Sequence, residues 1–167
     1  QAPLYAPFTR PAMTVRRLLF FCMGNICRSP TAEAVMRAKL AAAGIDVEVD
    51  SAGTHGYHVG EPPDERSQAH AARRGYDLSP LRARQLLAAD FDRFDVVLGM
   101  DEANLREAER LCPPAQRHKL QPLMRYAPGA GSRIVPDPYY GGEADFERVL
   151  DLVEAACEGL VATLATA

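Results

Sequence analysis

The sequence has no apolar run long enough to cross a membrane. A bilayer-spanning helix needs about 20 consecutive apolar residues, and no stretch of the 167 residues approaches that length. The N-terminus also lacks the apolar core and the small-residue cleavage site of a signal peptide. We therefore expect a soluble, cytoplasmic protein that does not act at a membrane.

A strong excess of charge of either sign is also absent. The formal net charge is -3, and the 19 lysine and arginine residues are scattered instead of clustered. A sequence-independent grip on nucleic acid or on anionic lipid needs a concentrated basic patch. The protein is therefore not expected to bind nucleic acid, and any anion that it handles must be bound locally.

Cysteine is scarce. Four cysteines in 167 residues are too few for a disulfide scaffold, so reduced thiols are expected. The length and the 47% share of apolar residues suit one domain with a single core. We expect residues 13–167 to form it. Residues 1–12 are rich in proline and lack periodicity, as in a disordered leader, a cloning remnant or an upstream extension.

Short apolar runs alternate with helix-like segments along the chain. Strands are predicted over residues 18–23, 45–53, 94–100 and, more weakly, 118–124, and helices over residues 31–43, 64–74, 101–111 and 145–164. Parallel strands need long crossover connections, which helices usually supply. The alternation therefore predicts an α/β fold with a parallel sheet and helices on both faces.

A cysteine lies where the first predicted strand ends. In "CMGNICRSP", Cys22 comes first and Arg28 follows six positions later. Gly24 opens the turn, and Ser29 followed by Pro30 is a good N-cap and first position for the next helix. A loop of this shape directs successive backbone N–H groups at one point, where the helix dipole also favours negative charge. We expect this loop to bind a phosphate.

Cys22 and Arg28 suit the chemistry of phosphate esters. A thiol at a helix N-terminus beside a cation ionises more readily than a free one, so Cys22 is expected to be a nucleophile without a separate base. The planar guanidinium of Arg28 matches two phosphoryl oxygens, which lysine cannot do. Ser29 can donate its hydroxyl to the sulfur and so help it to leave. The alternative for Ser29 is that it only caps the helix.

Such chemistry also needs a proton donor for the departing oxygen. The candidate is Asp137 in "VPDPYYGG", where Pro136 and Pro138 stiffen the backbone and Tyr139 and Tyr140 can form one wall of a cleft. An aspartate in such a loop often serves only as a turn residue. The motif alone leaves both alternatives open.

Five stretches of the chain together resemble one family. In the order "LFFCMGNICRSPTAEAV", "SAGTHGYHVGEPPD", "ARQL", "MDEANL" and "DPYYGG", they closely resemble the low molecular weight protein tyrosine phosphatases. The resemblance implies a four-stranded parallel sheet with helices on both faces and a phosphate-binding loop after the first strand. It implies a phosphoric monoester hydrolase that acts on phosphotyrosine and aryl phosphates through a phosphocysteine intermediate, without a metal or other cofactor. The expected partners are phosphotyrosine-containing proteins, and the expected assembly is a monomer or a weak dimer.

The family motif also implies roles for individual residues. Cys22 would be the nucleophile, Arg28 the phosphate clamp and Asp137 the general acid and then base. Ser51 would belong to the network that holds Asn25 in a strained conformation. The remaining expected binding residues surround the phosphate or line the cleft: Met23, Gly24, Asn25, Ile26, Cys27, Ser29, Tyr57, Tyr139 and Tyr140.

Two positions matter in the comparison with the family that this chain resembles. Many members carry a histidine shortly before "ARQ" that supports the phosphate loop, and this chain has Leu81 there. The support of the loop is therefore an open question. Relatives that act on phosphoarginine tend to have threonine before the second cysteine of the loop, where this chain has Ile26. The apolar Ile26 predicts a preference for aryl esters.

The other cysteines do not indicate a metal site. Cys27 is either a plain loop residue or a partner that traps oxidised Cys22 in a disulfide, and we favour the second because the two thiols share a short turn. Cys112 and Cys157 are expected to pack in the core. The two loop cysteines supply only half of a tetrahedral zinc site, and the four histidines form no set with them.

Two other functions deserve comparison with hydrolysis. Arsenate reduction on the same fold needs further cysteines, usually paired, to carry oxidation away from the nucleophile, and only Cys112 and Cys157 follow the loop. A non-catalytic module that binds phosphoproteins would be expected to lack the nucleophile or the acid, and both are present. The sequence therefore favours hydrolysis.

Overall fold

The structure, a computed structural model, describes residues 14–166. The expectation for residues 1–12 lies outside this part of the chain. Among the described residues, no helix has the length and apolar character needed to cross a membrane.

Four parallel strands form the central sheet. They are β1 (Arg17–Cys22), β2 (Glu48–Gly53), β3 (Val96–Gly99) and β4 (Leu120–Pro122). Their spatial order is β2-β1-β3-β4, and each neighbouring pair is parallel, which confirms the predicted fold. The direction of chain progression reverses between β1 and β3, where sheets of this kind bind ligands beyond the carboxyl ends of their strands. Cys22 is the last residue of β1.

Helices connect the strands. The described residues contain α1 (Arg28–Ala43), α2 (Glu65–Arg73), α3 (Asp90–Arg93), α4 (Glu102–Leu111) and α5 (Glu143–Ala165), with 3-10 helices at Pro114–Lys119 and Leu123–Tyr126. The sequence pattern predicts all of the longer α-helices. It misses α3 and both 3-10 helices because one or two turns are too short to show a helical period.

Alternate residues of β1 face opposite sides of the sheet. Leu18 and Phe20 pack in an apolar cluster with residues of α1 and α5, whereas Leu19 and Phe21 pack in a second cluster with residues of α3 and α4. All four side chains are fully buried. A strand that is buried on both faces is apolar throughout, which explains the run "LLFF" and confirms that helices cover both faces.

The prediction for the start of α1 is wrong. The helix begins at Arg28, Cys27 occupies the N-cap position, and no side chain caps the helix. Ser29 therefore lies inside the first turn, where its hydroxyl contacts Cys22 and Asn25 instead of a helix amide. The first-turn N–H groups face the loop, and an anion can satisfy them there in place of a capping side chain.

Candidate active site

Cys22 lies buried at the carboxyl end of β1, with 2% of its surface exposed. Its sulfur is 3.0 Å from Ser29 Oγ in the first turn of α1. The carbonyl of Cys22 accepts a hydrogen bond of 2.9 Å from the amide of Thr54, just after β2. The end of the sheet and the start of α1 therefore fix the thiol from two sides.

The phosphate loop, residues 22–28, turns at Asn25. The backbone φ of Asn25 is 57°, in the left-handed region that asparagine tolerates better than most residues. Its Nδ2 donates to Ser29 Oγ at 2.8 Å and to Ser51 Oγ at 3.0 Å. Its Oδ1 accepts from the backbone amide of Arg84 at 3.0 Å. Both hydrogens of Nδ2 and the oxygen Oδ1 therefore form hydrogen bonds that hold the turn.

The backbone that follows β2 packs tightly under the loop. A Cβ at Gly53 would lie 2.7 Å from the carbonyl oxygen of Met23 and 3.1 Å from the amide nitrogen of Asn25, so only glycine fits. In the loops and turns that the structure describes, no amide of residues 24–27 donates to a backbone carbonyl. These N–H groups are therefore available to an anion.

The guanidinium of Arg28 is buried and anchored, with 3% of the side chain exposed. Its Nη1 donates to Asp101 Oδ2 at 2.5 Å and to the carbonyl of Val135 at 3.0 Å. Its Nη2 is 3.9 Å from Asp137 Oδ2. Burial opposes the charge, but Cys22, Asp101 and Asp137 together raise the pKa of Arg28. The side chain is therefore a fixed cation beside the thiol.

Asp101 is a site residue that the sequence reasoning missed. It lies two residues after the end of β3 and is the N-cap of α4, where its side chain accepts from the amide of Asn104 at 2.8 Å. The signal was available, because "MDEANL" begins at the end of a predicted parallel strand. The carboxyl ends of parallel strands lie at one edge of a sheet, so Asp101 could be expected at the same edge as Cys22.

Asp137 lies on the open side of Arg28. Its side chain is 45% exposed, and its Oδ1 accepts from the amide of Tyr139 at 3.1 Å. The loop that carries it is tied to the end of β3 by a 2.8 Å bond from the amide of Val135 to the carbonyl of Met100. The structure therefore brings Asp137 to Arg28 while leaving its carboxylate accessible.

The three tyrosines differ in exposure. Tyr139 is 37% exposed, whereas Tyr57 and Tyr140 are 78% and 95% exposed. The ring of Tyr139 meets the ring of Tyr140 edge-on at 4.9 Å, and the Arg66 guanidinium lies 5.5 Å from its centroid. Tyr139 is thus the tyrosine that its surroundings hold in place next to Asp137.

His58 also contacts the phosphate loop, and no sequence motif singled it out. A Cβ on Gly24 would lie 3.1 Å from His58 Cδ2, so the imidazole packs directly against the loop. Its Nδ1 is 3.2 Å from Glu61 Oε2. Only the path of the chain between β2 and α2 brings His58 to this position.

The second cysteine of the loop differs chemically from the first. Cys27 packs in a small cluster with Ile26, Ala83 and Phe146, and burial raises its pKa to about 12. It is therefore a neutral thiol at physiological pH and does not compete as a nucleophile. Cys112 and Cys157 are buried as predicted.

In place of the histidine that supports the phosphate loop in many relatives, this chain uses other groups. Leu81 packs against the apolar cluster beneath α1 and α5. The polar support comes from the amide of Arg84 and from Ser51, whose hydroxyl donates to Glu33 Oε1 at 2.6 Å. Arg84 is in turn held by Asp90, at 3.0 Å.

The arrangement combines three chemical abilities. The loop can bind an oxyanion, Cys22 can attack it, and Asp137 can exchange a proton at the open side. No group of three or more His, Cys, Asp or Glu side chains suited to a metal ion occurs among residues 14–166.

Comparisons with known proteins agree in sequence and in fold. The family model for low molecular weight phosphotyrosine protein phosphatases matches residues 17–167. A low molecular weight protein-tyrosine-phosphatase from Streptomyces coelicolor is 47% identical over 153 residues, which cover 89% of this chain and 93% of that protein.

Two solved structures extend the comparison. A protein tyrosine phosphatase from Entamoeba histolytica, with Hepes in the active site, has a TM-score of 0.87 and 39% identity and covers 90% of this chain and 97% of its own. A Drosophila arginine phosphatase has a TM-score of 0.82 and 32% identity, with coverage of 87% and 95%. Because the family match spans nearly the whole chain and the folds agree, this protein belongs to the low molecular weight phosphotyrosine protein phosphatase family.

Proposed function

We propose that this protein is a protein tyrosine phosphatase that hydrolyses phosphotyrosine and aryl phosphates through a phosphocysteine intermediate. One observation carries the proposal: Cys22 Sγ lies 3.0 Å from Ser29 Oγ, and Asp101 anchors the guanidinium of Arg28 at the end of the same loop. A buried thiol, a hydroxyl donor and an anchored cation within one turn suit attack on phosphorus. Family membership supports the same reaction.

In the first step, Cys22 Sγ attacks phosphorus while the bond to the ester oxygen breaks. The amides of residues 23–28 and the guanidinium of Arg28 bind the phosphoryl oxygens and stabilise their charge in the transition state. Asp137 gives its proton to the departing oxygen, because a phenolate leaves with difficulty. The products of this step are the free phenol and the phosphocysteine.

In the second step, water attacks the phosphocysteine. Asp137, now a carboxylate, takes a proton from the water, and the S–P bond breaks to release phosphate and the thiolate of Cys22. Ser29 donates its hydroxyl to the sulfur as negative charge returns to it. Tyr139 would supply an aromatic face next to Asp137 for the substrate ring, and Tyr57 and Tyr140, which are more exposed, would contribute further aromatic surface.

Phosphoarginine is a second candidate substrate, because one of the similar solved structures is an arginine phosphatase. Ile26 disfavours it in this chain. Its side chain is 9% exposed and packs with Cys27, Ala83 and Phe146, and it has no hydroxyl with which to bind a guanidine. We therefore place aryl phosphates first.

The proposal includes a cytoplasmic location and action as a monomer or a weak dimer, without nucleic acid, membrane or cofactor. All four cysteines are free thiols, and a thiol nucleophile persists in a reducing compartment. The net charge of -3 gives no electrostatic reason for binding nucleic acid.

The test is a turnover panel in the presence of a chelator. The substrates are a phosphotyrosine peptide, a simple aryl phosphate, phosphoserine, phosphoarginine and arsenate, and the matched variants are Cys22→Ser and Ile26→Thr. We expect turnover of the aryl esters only, its loss in Cys22→Ser, and a shift of kcat/KM toward phosphoarginine in Ile26→Thr. Turnover of Cys22→Ser above about a tenth of wild type would contradict the proposal, since a nucleophile contributes orders of magnitude.

A further inference from the structure

Glu33 is a buried carboxylate behind the phosphate loop that the mechanism above does not use. It lies in the second turn of α1 and is 3% exposed. Its Oε1 accepts from Ser51 Oγ at 2.6 Å, and its Oε2 pairs with Arg37 at 2.6 Å. Burial raises the pKa of Glu33, Ser51 and Arg37 oppose that rise, and Asp50 adds to it. A charge kept out of water needs such partners.

Counting hydrogens fixes the direction of the bond between Ser51 and Asn25. A carboxylate only accepts hydrogen bonds, and a serine hydroxyl has one hydrogen to give. Ser51 gives that hydrogen to Glu33, so its oxygen must act as the acceptor in the 3.0 Å contact with Asn25. The side of Asn25 that faces Ser51 is therefore its amide nitrogen.

Counting hydrogens also fixes the direction of the hydrogen bond between Ser29 and the nucleophile Cys22. Because Asn25 presents its nitrogen, it also donates to Ser29 Oγ at 2.8 Å. The one hydrogen of Ser29 is then free for Cys22 Sγ at 3.0 Å or for the carbonyl of Ala52 at 3.4 Å. The shorter contact and the charge of a thiolate both favour the sulfur.

Two locks hold this orientation of the Asn25 amide. The backbone amide of Arg84 donates to Oδ1. Glu33 accepts the only hydrogen of the Ser51 hydroxyl, so Ser51 cannot donate to Asn25. In the flipped orientation, Oδ1 would face Ser51 and Ser29, and both hydroxyls would donate to it. Ser29 would then have no hydrogen for Cys22. An acceptor at Glu33 removes Ser51 as a donor and so disfavours this state.

We propose that Glu33 is a positioning residue that sets the direction of donation along the chain Glu33, Ser51, Asn25, Ser29 and Cys22, so that Ser29 always donates to the sulfur. The inference rests on the proposed role of Cys22. In this role the buried carboxylate influences the nucleophile Cys22 through a series of four hydrogen bonds. It also predicts that the second step, in which sulfur must leave, depends on Glu33 more than the first.

The sign of one measurement separates this role from a simple charge effect. The pH midpoint of Cys22 alkylation by iodoacetamide reports how readily the thiol ionises. Removing a nearby negative charge by Glu33→Met would lower the midpoint if Glu33 acted through its field, because Arg37 would remain. Loss of the Ser29 hydrogen bond raises the midpoint, and we expect a rise of about one pH unit, in proportion to a charge-assisted hydrogen bond.

A double-mutant cycle with Ser51→Ala completes the test, and it does not depend on turnover. Ser51→Ala removes the hydroxyl that links Glu33 to Asn25, so adding Glu33→Met to it should change the pH midpoint of alkylation no further. In single-turnover kinetics with an aryl phosphate, Glu33→Met should slow hydrolysis of the phosphocysteine about tenfold and its formation less, since negative charge leaves the sulfur as the S–P bond forms and returns to it only as that bond breaks.

Ser51→Thr keeps the hydroxyl and should restore the midpoint, and this comparison with Ser51→Ala remains available if Glu33→Met does not fold. A midpoint that falls or stays unchanged in Glu33→Met, or effects of Glu33→Met and Ser51→Ala that add, would overturn the inference. Failure of the proposed function would appear separately, as absent turnover in the wild-type protein.

Discussion

Asp101 uses its two carboxylate oxygens for two different tasks. Oδ2 accepts from Arg28 Nη1 at 2.5 Å, and Oδ1 accepts from the amide of Asn104 at the start of α4. The residue therefore ties the orientation of the phosphate clamp to the end of β3 and to a helix terminus. Positioning of this kind matters because small displacements of a binding group reduce the rate strongly.

Asp101→Asn should separate these tasks. Asparagine is as good an N-cap as aspartate, so the melting temperature should change little. The negative charge that faces the Arg28 guanidinium is lost, and we expect kcat to fall about 10- to 100-fold. Steady-state kinetics and calorimetry on the same protein measure the two effects. Full kcat in this variant would show that Asp101 only caps α4.

Asp137→Asn should slow aryl phosphate hydrolysis according to the leaving group. The amide cannot donate the proton that a poor leaving group requires, so phenols of high pKa should lose about 100-fold or more and phenols of low pKa much less. The measurement is kcat/KM over a series of substituted phenyl phosphates. Equal slowing across the series would assign Asp137 a role in binding instead of proton transfer.

Peroxide should inactivate the wild type reversibly through a disulfide between Cys22 and Cys27. Oxidation of Cys22 to the sulfenic acid allows the thiol of Cys27 to attack it with release of water. Because burial raises the pKa of Cys27 to about 12, disulfide closure should accelerate as pH rises through the neutral range. Cys27→Ser should over-oxidise and recover poorly with a reductant, whereas Cys112→Ser should recover like wild type. Equal recovery of all three proteins would leave Cys27 without a protective role.

Tyr139→Ala should weaken aryl substrates more than inorganic phosphate. Tyr139 is the least exposed of the three tyrosines and contacts Tyr140 and Arg66, so its ring can stack on a substrate ring without losing much freedom. We expect KM for a phosphotyrosine peptide to rise about tenfold, with the inhibition constant of phosphate changed about twofold or less. Tyr140→Ala, at a side chain that is 95% exposed, is the matched control and should have a smaller effect. Equal effects of the two variants would place specificity elsewhere.

Arg74→Met should destabilise the protein more at neutral than at acidic pH. Arg74 joins the end of α2 to α5 through ion pairs with Glu147, Asp151 and Glu154. Hydrogen bonds from Arg74 and then His70 lower the pKa of Glu147. Burial opposes ionisation of Glu154, but Tyr76 and Arg74 lower its pKa overall.

The sign of that pH dependence follows from linkage. A carboxyl whose pKa is lower in the folded than in the unfolded state adds stability above its unfolded pKa, and this stability is lost as pH falls through the folded pKa. We expect Arg74→Met to lower the melting temperature by about 2–5 °C at neutral pH, and by less at about pH 3. The measurement is the melting temperature of wild type and variant at both pH values. A difference in melting temperature that does not depend on pH would mean that Arg74→Met removes packing contacts and not ion pairs.

Local features of the sequence were sufficient to predict the strands and to place Cys22 near Arg28. β1 is buried on both faces after its first residue, so the residues that follow are all apolar, and this run can be recognised directly in the sequence. Cys22 and Arg28 lie within one turn of the chain between a strand and a helix, so their proximity needs no knowledge of the rest of the fold. The N-caps Asp64 and Asp101 can also be recognised locally, because a capping side chain bonds amides two or three residues away.

The tertiary structure decided the partners of those residues. Asp101 is 73 positions from Arg28, and Asp137 reaches it from a loop after the last strand, so the order of strands in the sheet determines both contacts. Ser29 has a local pattern that predicts a helix cap, yet Cys22 and Asn25 take its hydroxyl because the end of β1 lies against the first turn of α1. A side chain in a folded protein bonds with whichever group packing brings within about 3 Å, and neighbours along the sequence are only some of those groups.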